Sequence, residues 1–137
     1  MDIETVYKIC TAAEWRQAEQ AGRYRGSAVD LRDGFIHFST AAQAAETAQR
    51  HFSGQRDLVL LSVDAGALGP KLRWEPSRCG ALFPHLYGEL PLTAVIEVAP
   101  LPLDAAGRHV FPESRLPGKS AAAEDEIIPG GPKLTTR

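Results

Sequence analysis

Two short signatures organise the first part of this chain. Thr11-x-x-Glu14 and Thr40-x-x-Gln43 each follow an apolar run and precede an alanine-containing stretch. In such a capping box the Thr side chain accepts from the backbone N–H three residues on. The acid or amide there returns a bond to the N–H of the cap. Each pair therefore marks a strand running into a helix. "TVYKIC" (5–10) has strand composition, and the helix after Thr11 is expected to bury Trp15 and Ala18 and to stop at Gly22. The polar stretch 23–33 reads as a surface loop, closed by the turn signal Asp33-Gly34. "FIHF" is the next strand, and "AAQAAETAQRHF" a second helix ending near Gly54.

No helix signal recurs after Gly54. "DLVLLSVD" (57–64) is apolar without alternation, which predicts a central strand covered on both faces. Short strands are expected at "KLRWE", "HLYG" and "TAVIEV", with "PSRCGALFP" as a loop. Helices early and sheet late is an α+β order. Residues 107–111 are expected to pack on the domain, whereas the sequence beyond about 117 has no periodicity. The expected organisation is one domain over residues 1–116 and a flexible tail over 117–137.

Composition narrows the function classes. A net charge of −2 provides no global attraction for nucleic acid or anionic lipid, although a local basic cluster is compatible with it. "MDIETVYKIC" lacks the apolar core of a signal peptide, and no run is long enough to span a bilayer. Cys10 and Cys79 make no metal-like spacing and read as reduced, cytoplasmic thiols.

"DGFIHFST" (33–40) places an ionisable ring inside an apolar strand. Alternation puts Phe35, His37 and Ser39 on one face, just before a helix N-terminus. His37 is either a core histidine bonded to a backbone carbonyl or a group lining a cleft; Thr40 or Ser39 caps the helix in both cases. A second dense region, "RWEPSRCGALFPHLYGEL" (73–90), carries Arg73, Arg78, His85, Tyr87, Glu75 and Glu89 with Trp74 and Phe83. A connection this long between strands is more often a binding element than a linker. The alternative is a packed loop with solvated arginines and a Glu75 that merely pairs with one of them. In "GRYRGSAVD" (22–30), Arg23 and Arg25 flank Tyr24, which suits a phosphate beside a stacked ring and equally suits a solvated loop. His51 and His109 read as a helix-end and a surface residue. No nucleophile elbow, P-loop or dinucleotide fingerprint is present, and two histidines on separate strands lack a third metal ligand, so no metal centre is expected.

The motifs "YKI", "EW", "GSAVDLRDGFIHFSTAAQ", "LRWEPSR" and "LFPHLYG" together resemble a small bacterial family of unknown function, over residues 6–111. The fold of that family is similar to that of the ADP-ribosyltransferases. The resemblance implies a split, mostly antiparallel sheet with two N-terminal helices and a cleft for nicotinamide adenine dinucleotide (NAD) between its halves. His37 looks like the strand histidine that contacts the ribose of NAD in several branches, with Ser39 and Thr40 as the polar residues that follow. The polymerase branch adds a tyrosine and a late glutamate, for which Tyr87 and Glu89 or Glu97 are counterparts without a fixing motif. Arg25, Arg78 and His85 fit the phosphotransferase branch better.

Two functions follow. One is an enzyme acting on NAD or on an ADP-ribose-like phosphate ester, with His37, His85, Arg78 and Glu75 as catalytic candidates and Arg25, Ser39, Thr40, Tyr87 and Glu89 as ligand contacts. The other is a non-catalytic module that binds a nucleotide or phosphorylated ligand in the same cleft; beyond these two stands a role outside nucleotide chemistry, including assembly through the aromatic loop.

Overall fold

The computed structural model describes residues 4–77 and 80–112 of the 137-residue chain. The expected tail over 117–137 and the boundary at 116 lie outside the described residues, as do Arg78 and Cys79.

The architecture is α+β, and every strand pairing is antiparallel. The first sheet has the order β1-β4-β8, from β1 (Thr5–Thr11), β4 (Leu58–Asp64) and β8 (Val95–Pro100). A second, β3-β6-β5, is built from β3 (Ile36–His37), β6 (Leu82–Leu86) and β5 (Leu72–Pro76). A two-stranded ribbon joins β2 (Arg23–Tyr24) to β7 (Leu90–Pro91). The two larger sheets meet where Tyr7 and Ser39 exchange backbone hydrogen bonds, each 2.8 Å long. That bridge sets β1 beside the chain that leaves β3.

The strand-to-helix units form as the sequence predicts. α1 (Ala12–Ala21) has the Thr11/Glu14 capping box, buries Trp15 and Ala18, and ends on the left-handed Gly22. α3 (Ala41–Phe52) has the Thr40/Gln43 box. β4 is central and covered on both faces. Leu58 and Leu60 pack with Tyr7, Ile9, Ala48 and Phe111, while Leu61 and Val63 join Val6, Trp15, Tyr24, Ile36 and Phe38.

Two expectations are corrected. The stretch read as a surface loop contains β2 and a short helix, α2 (Ala28–Asp33), so three α-helices are present among the described residues rather than two. α2 spans six residues, too few for an apolar period to register, and its signals are local: Ser27 and Asp30 cap it reciprocally and Gly34 ends it at φ +89. The second correction concerns the long loop expected before "HLYG". Leu82–Leu86 is a strand that pairs with β5 from Pro76↔Leu82 onward, so the connection shrinks to a hairpin turn closed by the Ser77 N–H on the Ala81 carbonyl. Pro84 hid this strand, because proline has no N–H for a ladder. Here its carbonyl still accepts from the Phe38 N–H at 2.9 Å.

Among the described residues no helix is long and apolar enough to cross a membrane.

Candidate functional site

The β3-β6-β5 sheet sorts its side chains by alternation. Ile36, Phe38 and Leu86 turn into the core. On the opposite face His37 stands across from His85, and His85 across from Arg73. Directly opposite residues in an antiparallel ladder share a face. Phe35, Phe83, Tyr87 and Glu75 fall on the same face by period two.

His85 is buried, and its Nδ1 donates to Glu75 Oε1 at 2.8 Å. The Tyr87 hydroxyl donates to the same oxygen, also at 2.8 Å. The bonds from His85 and then Tyr87 hold the Glu75 carboxyl below its ordinary value. The same contact pushes the Tyr87 hydroxyl up, since its proton is held by a carboxylate. The Arg73 guanidinium lies 4.8 Å from the Tyr87 ring centroid, in cation–π range. Phe35 is the hub of the rings: it stacks on His85 at 4.2 Å and leans on His37 at 4.6 Å and Tyr87 at 5.2 Å.

His37 meets a carboxylate at each ring nitrogen. Nδ1 lies 2.6 Å from Asp30 Oδ1 and Nε2 lies 3.1 Å from Asp33 Oδ2. The other Asp30 oxygen takes Lys8 Nζ at 2.7 Å and the Ser27 N–H at 2.9 Å, and the His37 N–H adds a bond to Oδ1. Lys8 and Asp30 are both buried. Burial alone would push the Asp30 carboxyl up, yet the bond from His37 and the charge and bond of Lys8 outweigh it and hold the group well below the usual carboxylate range. Asp33 also titrates below its ordinary value, chiefly through its contact with Arg32.

Lys8, Asp30, Asp33, His37, Thr47 and His85 border one cavity of about 560 Å³; Phe35, Arg73, Glu75 and Tyr87 stand behind His85 and are not among the residues bordering it. That volume falls in the range of small-molecule sites. Much of one wall is α2 with its cap: Ser27, Ala28, Val29, Asp30, Arg32 and Asp33 all border the space.

The structure brings together His37, His85, Glu75 and Tyr87. Ser39 lines the cavity, with its Oγ 2.9 Å from Thr47 Oγ1, and Thr40 caps α3. Arg25 and Glu89 pair with each other at 3.3 Å, beside Arg23 at the same distance from Glu89, on exposed positions that are not among the residues bordering the cavity. Arg78 lies outside the described residues. Burial pushes the Cys10 thiol up to about 12, so Cys10 packs as an apolar group.

Sequence reasoning missed Lys8, Asp30 and Asp33. Lys8 did leave a signal, as a lysine inside the apolar run "TVYKIC" with Val6 and Cys10 on its own face. A strand does not bury an ammonium without a carboxylate to meet it. Nothing local named Asp30 as that partner.

Residues 9–98 match a family described as protein of unknown function DUF952. The chain belongs to this family. The chain is also similar to solved structures. The crystal structure of CC0527 from Caulobacter crescentus is 54% identical, covers 77% of this chain and 93% of its own, and superposes with a TM-score of 0.75. The solution NMR structure of CC0527 is likewise 54% identical over 77% of this chain and 91% of its own, with a TM-score of 0.70. No curated protein matches the chain. The DUF952 match spans most of the cavity wall, from Ile9 through α2 and β3 to β6, and begins one residue after Lys8.

Proposed function

We propose that the cleft binds the ribosyl part of an ADP-ribose-like ligand and that the protein is an enzyme acting on NAD or a related phosphate ester. The observation that carries this reading is the pair His37 and His85. They stand opposite each other on neighbouring strands, each is held through Nδ1 by a carboxylate, and both border the same cavity. Glu75 fixes the tautomer and orientation of His85, which leaves Nε2 for proton transfer to or from a bound ligand. His37 and Asp33 form the wall that faces ribose hydroxyls. Glu75 and Tyr87 act through His85 as positioning groups.

The sheet halves joined at Tyr7 and Ser39, with a histidine on the strand beside the join, support the ADP-ribosyltransferase-like reading of the fold. The arginine clamp has less support: Arg25 is paired with Glu89, and among the described residues, which do not include Arg78, the Lys and Arg side chains bordering the cavity are Lys8 and Arg32. A buried, unpaired Cys10 supports a reducing, cytoplasmic setting.

A second reading is a binding module without chemistry. It is favoured by His37, whose two ring nitrogens already meet carboxylates of the protein. The test combines thermal shift and turnover. Full-length protein and His85→Ala are melted with NAD, ADP-ribose and inorganic phosphate, and NAD is assayed for release of nicotinamide. Stabilisation of the wild type with turnover that His85→Ala abolishes is the enzyme result. Stabilisation without turnover is the module result, and no stabilisation by any of these compounds overturns both.

A further inference from the structure

The two carboxylates that face His37 are not equivalent. Asp30 is spent: its oxygens take Lys8 Nζ, His37 Nδ1 and the N–H groups of Ser27 and His37, and its side chain is 1% exposed. Asp33 is 31% exposed and takes two contacts among the described residues, Arg32 Nε on Oδ1 and His37 Nε2 on Oδ2. A carboxylate offers about four lone-pair sites, so Asp33 keeps acceptor capacity at the cavity wall. Arg32 also borders the cavity, but its Nε is engaged by Asp33.

We propose that Asp33 is the specificity-determining residue of the cleft. It accepts from free ribose hydroxyls and rejects a ribose that carries a phosphate there. This inference rests on the ribosyl reading of the cavity and decides which ribosyl ligands enter.

The chemistry is that of an acceptor that carries charge. A carboxylate beside a sugar pairs with hydroxyl donors, as acidic residues do with the ribose 2′-hydroxyl in other nucleotide sites. A phosphate on the same ring brings no donor and a like charge. Among the described residues the two Lys and Arg side chains that border the cavity are each paired, Lys8 with Asp30 and Arg32 with Asp33, so neither is a ready partner for that phosphate. Asp33→Asn removes the negative charge, keeps the shape and one acceptor oxygen, and frees the Arg32 guanidinium. The lost charge and the freed guanidinium both favour the phosphorylated ring.

The test is calorimetric titration of the full chain and of Asp33→Asn with ADP-ribose and with ADP-ribose 1″,2″-cyclic phosphate. Wild type should prefer ADP-ribose by at least about tenfold, a ratio readily resolved by titration. In Asp33→Asn the ratio should fall to about threefold or less, mainly through tighter binding of the phosphorylated compound. Arg32→Gln serves as a control on the same wall and should widen the preference rather than narrow it. Equal wild-type affinities for the two compounds would overturn the inference and leave the ribosyl reading standing. A preference that survives unchanged in Asp33→Asn would place the discrimination elsewhere and overturn it too. No wild-type binding of either compound would remove the ribosyl reading and this inference with it.

Discussion

Lys8 and Asp30 form a buried ion pair across two elements, with Nζ 2.7 Å from Oδ2. Lys8 sits on β1 and Asp30 on α2, and His37 on β3 closes the group from the other side. Three elements are thus tied at one point on the cavity wall. Removing Lys8 or Asp30 leaves its partner as an unmatched buried charge.

Lys8→Met keeps the length of the stem and removes the ammonium. Loss of one partner from a buried pair costs about 3–5 kcal/mol. His37 still faces Asp30, so the lower end of that range is expected in urea unfolding. Lys8→Met combined with Asp30→Asn should lose less than Lys8→Met alone, since no unmatched carboxylate remains. A double variant that is worse than the single would contradict the pairing argument.

The same carboxylate sets a pH dependence. Asp30 titrates below its ordinary value in the folded chain, and an unperturbed Asp has a pKa of about 3.9. Between those two values the unfolded state binds the extra proton, so stability falls as pH falls. The contribution of Asp30 is therefore complete above about pH 5 and is lost progressively on acidification. The gap in Tm between wild type and Asp30→Asn should be widest above that pH and should narrow toward pH 3. A gap that stays constant across this window would show that the carboxyl is not held low.

Gly26 and Gly34 flank α2, at φ +114 and +89. Alanine at Gly34 would meet no atom within 4 Å, so Gly34→Ala pays only for the left-handed backbone, about 1–2 kcal/mol. A Cβ at Gly26 would lie 2.7 Å from Asp30 Cβ. Gly26→Ala should therefore cost more than Gly34→Ala and should displace Asp30 from Lys8 and His37. Denaturant unfolding gives the costs. Imidazole resonances of His37 that shift in Gly26→Ala and not in Gly34→Ala give the displacement; equal shifts in both would refute it.

Phe35 holds both histidine rings by contact rather than by hydrogen bonds. Phe35→Leu keeps most of the apolar bulk and removes the ring stacking, which is worth about 0.5–1.5 kcal/mol per aromatic pair. A loss of about 1 kcal/mol is expected, with changed NMR shifts at both His37 and His85. Unchanged histidine resonances would mean that the carboxylates alone orient the rings.

The sequence by itself determined the parts whose causes are local. Thr11 with Glu14 and Thr40 with Gln43 fix two helix starts within four residues each, and the unbroken run 57–64 fixes a strand that must be covered twice. Period-two alternation alone puts Phe35 and His37 on one face. It failed where local signals conflict or run out. Pro84 argued against a strand that a ladder with β3 and β5 nevertheless holds, and α2 is too short to show a period. Only the tertiary structure decided the site. His37 and His85 meet because β3 and β6 pair in one register, and a slip of one residue would turn one of them into the core. Lys8 is tolerable in its strand only because folding brings Asp30 to it from α2, and Arg25 pairs with Glu89 on the surface and does not border the cavity. Such pairings link residues far apart in the chain. Their energy depends on distance and burial, which no local pattern of residues encodes.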